Sequence, residues 1–419
     1  MTPQEQQSKK HRYDLIVPVF LVVFGLTGVG YRIDAVMSKT GTPSNSPLEK
    51  GESIPTSILP LPKGELEGVA VPVVIEPEQE IITIPRTPLP EEVRGIYWTA
   101  FTAGTNRGQE LIDYMLETGL NAVVIDLKMD NGQLGFLPNN ESLKPYAMDK
   151  PVIKDLDALL KQLNEKGLYR IARIPVMRDG AFAFVHPEFA MKTASGNMWQ
   201  DNIGSRWVDP AATEVADYAL ALAREAYTRG FDEVQFDYVR FASDGAVSHI
   251  VYPVYKQTET KSEVMRRFFK RVGGTLKEEG IPVSFDLFGM TYWSFNDFNI
   301  GQRLIDVFAY ADWTSAMVYP SHYPDGFKGF ANPAENPYWI VNESMEEGAK
   351  HLAGLYAGSD EELRKTFRPW LQDFDIGAVY TAHLIEEQIR ATRDAGCSGW
   401  ILWNARNVYE PANYRPLTE

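Results

Sequence analysis

The chain of 419 residues has one cysteine, Cys397, and six histidines. A single cysteine excludes an intramolecular disulfide framework and any cysteine-built zinc site, and leaves Cys397 as a structural thiol. The histidines (His11, His186, His249, His322, His351 and His383) are scattered, with no H-x-H or H-E-x-x-H spacing. A His-ligated metal hydrolase is therefore not expected, and no metal or other cofactor is implied. No strand-like run leads into G-x-G-x-x-G or G-x-x-x-x-G-K-S/T, so a nucleotide-phosphate loop is missing, and no G-x-S-x-G elbow supports a serine hydrolase. Basic side chains are in the minority, 41 against 56 acidic, for a net charge of −15. That balance argues against nucleic acid as a partner and disfavours polyanionic substrates.

Aromatics are missing from a whole segment. Between Ser38 and Ile96 there is no Phe, Tyr, Trp, Met or Cys, while residues 41–90 carry ten of the 27 prolines. Such a stretch cannot bury enough surface to offset its ordering entropy, so 32–92 is expected to be an extended, Pro-rich spacer. Its more apolar part, 69–85, could lie against the body as a strand. Before the spacer, a basic stretch (1–14, with Lys9, Lys10 and Arg12) precedes the apolar run 15–31. That run is about the minimum for crossing a hydrocarbon core. It reads as a signal anchor with the basic end cytoplasmic, or as a signal peptide if it is cleaved near Gly28 and Gly30. The expectation is a single-pass protein of the cell membrane whose body lies outside, or a secreted one.

The body, 93–419, supplies the 44% hydrophobic and 12% aromatic composition of a globular core. Strand-like runs at 95–101, 122–128, 169–176, 233–241, 281–289, 313–319, 368–374 and 399–405 alternate with helical periodicity at 107–118, 152–167, 213–230, 261–279, 301–310, 341–354 and 381–395. Eight such periods predict an α/β fold with a parallel sheet closed into a (β/α)8 TIM barrel. Chemistry in that fold sits at the C-terminal ends of the strands. The longest loops there follow strands three, four and six. They carry Trp199, Trp207, Tyr252, Tyr255, Tyr323 and Trp339, most of which are expected to pack the loops.

Strand four reads Val-Gln-Phe-Asp-Tyr-Val-Arg-Phe and strand five Val-Ser-Phe-Asp-Leu-Phe. Period-2 alternation places Gln235 and Asp237 inward on one strand, and Ser284 and Asp286 inward on the next. Phe236, Tyr238, Phe285 and Leu287 then face the helices. Inward charges are costly unless paired or functional. A structural ion pair would use Arg240 or Arg173 as the partner of Asp237. A functional pair would sit roughly 5–7 Å apart, the spacing of glycoside hydrolysis, with one carboxylate at the anomeric centre and the other protonating the leaving oxygen. Further candidates ring the barrel. Asp126 and Lys128 share a face and could pair; Asp373 is a reserve acid/base. Trp98 and Trp403 could floor a sugar subsite, with Asn404 and Tyr319 at the ends of their strands.

The run FDEVQFDYVRFASDG (231–245) resembles the signature of a bacterial glycoside hydrolase family first catalogued as a domain of unknown function. That family is related to the α-galactosidase-like and α-amylase-like barrels. RGIYWTAFTAG (94–104), NAVVIDLKMDNG (121–132), WLQDFD (370–375) and GWILWNARNVY (399–409) extend the resemblance across nearly all of 94–409. One departure is Phe241-Ala242 where the motif usually has Phe-Pro. The resemblance implies a barrel glycosidase acting on carbohydrate, with Asp237 as nucleophile and, less directly, Asp286 as acid/base. An exported address suggests a cell-envelope or extracellular polysaccharide. The rival reading is a non-catalytic glycan-binding barrel displayed at the cell surface.

Overall fold

The computed structural model describes residues 84–416. Eight parallel strands close a barrel in sequence order: β1 (Val93–Trp98), β2 (Ala122–Asp126), β3 (Tyr169–Pro175), β4 (Glu233–Asp237), β5 (Val283–Phe288), β6 (Trp313–Met317), β7 (Trp370–Gln372) and β8 (Gly399–Trp403). The helices of the outer layer are α1 (Asn106–Thr118), α2 (Leu156–Glu165), α3 (Thr213–Arg229), α4 (Lys261–Phe269), α5 (Leu304–Val307), α6 (Pro337–Leu352) and α7 (Ala382–Asp394). These elements form a (β/α)8 barrel, and among the described residues no helix follows β8.

Two apolar layers follow from strand alternation. Val93, Tyr97, Val124, Ile171, Trp370 and Ile401 point into the barrel. Ile96, Trp98, Val123, Ile125, Phe236, Phe285 and Leu402 point outward into the helix layer. Each fully buried aliphatic of this kind contributes roughly 1.5–3 kcal/mol of transfer free energy. Helix ends are set locally. Gly230 ends α3 at φ 123°, a conformation closed to side chains with a Cβ, and Thr260 and Glu263 cap one another's backbone at the start of α4.

Several boundaries differ from the sequence expectation. Residues 100–103 form a helical turn, not the end of β1. The helix expected at 301–310 is one turn, Leu304–Val307, followed by a 3-10 turn. Strand four stops at Asp237 because Tyr238 has φ 51°, which an extended strand cannot accommodate. Of the spacer expected over 32–92, only residues 84–92 are described, and they lie against the body. Ile84 is buried in the helix-layer core, Arg86 donates to Phe231 O at 2.9 Å, and the Thr87 N–H donates to Asp232 at 2.8 Å. Residues 84–92 pack there without forming a strand until Val93. Among the described residues no helix is long and apolar enough to cross a membrane; the anchor expected at 15–31 lies outside them.

Candidate active site

A cleft of about 1580 Å³ opens at the C-terminal ends of the strands. Its floor is built around Arg173, the inward residue near the end of β3, which is 2% exposed. Its Nη1 donates to Asp126 at 2.5 Å, its Nη2 to Asp237 at 2.5 Å, and its Nε to the same Asp237 oxygen at 3.2 Å. The Oδ2 of Asp286 lies 3.8 Å from that Nε. One guanidinium therefore gathers the three inward aspartates of β2, β4 and β5. The nearest oxygens of Asp237 and Asp286 are at most about 7 Å apart, the sum of their distances to the shared nitrogen.

One positive charge cannot balance three buried carboxylates, and Asp286 and Asp126 hold their protons more tightly than an exposed carboxylate does. Burial, with the charge of Asp237 added to it, raises Asp286 well above the carboxylate range. Burial raises Asp126 to about 6, against the opposing pull of Arg173. Asp286 accepts the Trp370 indole N–H on Oδ1 at 2.7 Å, and its Oδ2 has no hydrogen-bond partner among the described residues. A protonated Asp286 thus has one oxygen already engaged and one from which a proton can be given. Asp237 itself lines the cleft, and its Oδ1 accepts the N–H of Tyr238 at 2.5 Å.

The structure sorts the remaining candidates. Arg240, Tyr319, Trp403 and Asn404 line the cleft with Arg173 and Asp237. Arg240 does not pair with Asp237; Arg173 does. Asn404 is occupied in holding the backbone, donating to the carbonyls of Asp373 and Val408. Trp98 is not at the floor. Its side chain points into the helix layer, because Tyr97 takes the inward position and stacks on Trp403 with ring centroids 4.1 Å apart. Lys128 does not pair with Asp126. Strand β2 ends at Asp126, and beyond it Lys128 turns into the layer around Asp179, at 2.6 Å. Gln235 lies below the cleft, fully buried, donating to Ser315 at 3.1 Å. Asp373 is outside the site as well. Trp370 and Gln372 take the inward positions of β7, and the Asp373 carboxylate faces the C-terminal segment, accepting from Glu410 N at 3.3 Å.

That placement carries a prediction. Burial raises Asp373 to about 8, so its ionisation opposes folding increasingly as pH rises from about 4 towards 8. The penalty at pH 7 is roughly 4 kcal/mol, part of which an Asn recovers. Asp373→Asn is expected to raise the midpoint of chemical denaturation at pH 7.5, to flatten its dependence between pH 4 and 8, and to leave turnover within about twofold. A large loss of turnover in this variant would return Asp373 to the catalytic set.

Further residues complete the cleft, among them His322, which the sequence places in a loop on the active face. Tyr97 donates to Asp126 and stacks on Trp403; Trp370 lines the cleft and donates to Asp286; Phe374 and His322 flank Tyr319. Burial lowers His322 to about 4, which keeps it neutral. Tyr238, expected to face the helices, instead faces the cleft because of its left-handed backbone, and accepts from Arg178 at 2.7 Å. The loop aromatics behave as packing: Trp199, Trp207, Tyr255 and Tyr323 are buried and none lines this cleft, while Trp339 belongs to α6. Among the described residues no cluster of three or more His, Cys, Asp or Glu side chains could hold a metal ion.

Residues 95–409 match the family described as "putative glycosyl hydrolase domain". No curated protein matches the chain significantly. Among solved structures, similarity extends to the glycoside hydrolase domain of PgaB (BpsB) from Bordetella bronchiseptica, with TM-score 0.51, 14% identity, and coverage of 75% of this chain and 94% of that one. A hypothetical protein from Ruminiclostridium thermocellum is 28% identical over 46% of this chain and 96% of its own, with TM-score 0.40. An alpha-galactosidase from Thermus thermophilus aligns with TM-score 0.46 and 13% identity, covering 78% of this chain and 61% of that one.

Proposed function

The chain belongs to this glycosyl hydrolase family, and on that premise we propose that it is a glycosidase whose working pair is Asp237 and Asp286, acting on a cell-envelope or extracellular polysaccharide. The observation that carries the reading is the shared guanidinium: Arg173 contacts Asp237 on the cleft floor and lies 3.8 Å from a buried Asp286 with one oxygen unpartnered. Asp237, matched by a fixed counter-ion, stabilises or attacks the oxocarbenium-like centre. Asp286, held in its neutral form by burial and by the charge of Asp237, delivers the proton to the leaving oxygen. Tyr97 and Trp403, stacked at the floor, and Tyr319 opposite offer flat apolar faces to a sugar ring. The exported location rests on the apolar run 15–31 after Lys9, Lys10 and Arg12.

The test separates the acid from the nucleophile. Asp286→Asn is expected to lower kcat/KM on unactivated glycans by about 10³-fold and on dinitrophenyl glycosides by less than about tenfold, because a good leaving group needs no proton. Equal losses on both substrate types would remove Asp286 from the acid role. Wild-type protein that binds glycans and turns over none of a broad panel would favour the non-catalytic binding barrel instead.

A further inference from the structure

The chain as a whole is acidic, with net charge −15, yet its cleft is not. Five arginines line it (Arg173, Arg178, Arg206, Arg240 and Arg406) against three aspartates, Asp130, Asp237 and Asp375, with Asp126 and Asp286 buried beneath on Arg173. Two of the five are committed to carboxylates. Arg173 holds Asp126 and Asp237, and Arg178 lies 3.6 Å from Asp201 and 3.8 Å from Asp130. Arg240 is different. It is 7% exposed, and no carboxylate comes within 4.0 Å of it among the described residues.

Its setting is built rather than incidental. The guanidinium sits among the rings of Phe288, Trp207 and Tyr238, at 4.7, 5.0 and 5.3 Å from their centroids. It hydrogen-bonds the protein through Nη1 alone, to the Phe241 carbonyl and the Ser243 hydroxyl, each at 3.1 Å. Its Nε–Nη2 edge makes no hydrogen bond among the described residues, and the residue lines the cleft. That edge carries two parallel N–H donors, the geometry that matches a carboxylate side-on. A guanidinium stripped of water and denied an internal counter-ion is costly to hold, unless a ligand completes it. Burial depresses its proton affinity, but an arginine stays charged throughout the working pH range. Arg206, half-buried and likewise without a carboxylate partner within 4.0 Å among the described residues, adds charge to the cleft lining.

We infer that the cleft accepts an anionic glycan, with a uronic-acid carboxylate seated on the free edge of Arg240 beside the sugar that occupies Asp237. This inference rests on the glycosidase reading for the position of the scissile sugar, but the charge preference can be measured without cleavage. It also revises the expectation drawn from net charge: an average over the whole chain says nothing about a cleft that concentrates arginine.

Binding is measured on full-length Asp237→Asn protein, so that hydrolysis does not intrude, with polygalacturonate, alginate and hyaluronan oligosaccharides against their carboxyl-reduced forms. Chondroitin sulfate and its desulfated form make a second arm that separates sulfate from carboxylate. At least one acidic oligosaccharide is expected to bind tenfold or more tightly than its reduced form, with affinity falling as salt rises. Adding Arg240→Gln should cut that preference to under threefold, and Arg240→Lys, which keeps the charge but loses the two-donor edge, should retain only part of it, with melting temperatures confirming that each variant is folded. Equal affinity for charged and reduced forms across the panel overturns the proposal, as does an Arg240→Gln loss of the same size on both. Preference for sulfate alone overturns the uronate assignment. If an acidic glycan binds through Arg240 and wild type does not cleave it, the glycosidase reading falls while this inference stands.

Discussion

Asp237→Asn is expected to lower kcat/KM on any glycan the protein cleaves by at least about 10³-fold while moving the melting temperature by less than about 3 °C. The small structural effect follows from the contacts. An asparagine oxygen can still accept from Arg173 in the Oδ2 position at the cost of the Tyr238 N–H contact, and the Arg173 fork keeps Asp126 on Nη1. The lost charge is partly replaced from within the cluster. The charge of Asp237 is the second cause, after burial, that raises Asp286, so its removal makes Asp286 easier to ionise beside the same guanidinium. Any residual activity in the variant should therefore lose its alkaline limb at a lower pH than wild type. The measurements are kcat/KM across pH and a melting curve for both proteins. Surviving turnover would mean the nucleophile is elsewhere. A melting point lower by about 10 °C would mean that Asp237 serves mainly as a structural partner of Arg173.

What the sequence made legible was whatever depends on periodicity. Eight alternating strand and helix signals specify the barrel, and the inward set Asp126, Arg173, Asp237 and Asp286 follows from period 2 within strands. Legibility failed where strands stop. Alternation carried past Asp126 gave Lys128 a partner it does not have, and carried past Asp237 it sent Tyr238 towards the helices, when a φ of 51° turns it into the cleft. On β1, Trp98 looked like the sugar platform because of its size; the register puts Tyr97 inward instead, a choice that one residue of phase decides. Asp373 failed for the same reason on the three-residue strand β7, too short for its pattern to fix a phase. The convergence of three aspartates on Arg173 was beyond sequence reading. It depends on the register between strands, which sets Asp126 beside Arg173 and Asp237 beside Pro175, and on the reach of the arginine side chain, and no local spacing encodes that.

Arg173→Met is expected to be the most destabilising single change in the cleft, at roughly 3–5 kcal/mol near pH 7.5, because it leaves the buried carboxylates of Asp126 and Asp237 with no counter-ion. The sign of its pH dependence distinguishes this cause from simple loss of packing. Arg173 opposes the rise in both Asp126 and Asp286, so without it both should shift further upward in the folded protein. A group whose folded pKa lies above its unfolded value supports folding at low pH, and that support is lost as pH rises through the folded pKa. The variant's deficit should therefore be modest near pH 5, where Asp126 and Asp286 can carry protons, and should widen steadily towards pH 8. Arg173→Lys keeps a charge but loses the fork that reaches Asp126 and Asp237 at once, so its deficit should be smaller and less dependent on pH. Denaturation midpoints of the three proteins from pH 5 to 8 provide the check. A deficit for Arg173→Met that stays constant across that range would show that the arginine acts through its contacts with the Tyr97 and Trp403 rings, at 5.5 and 5.2 Å, rather than as the shared counter-ion of the aspartates.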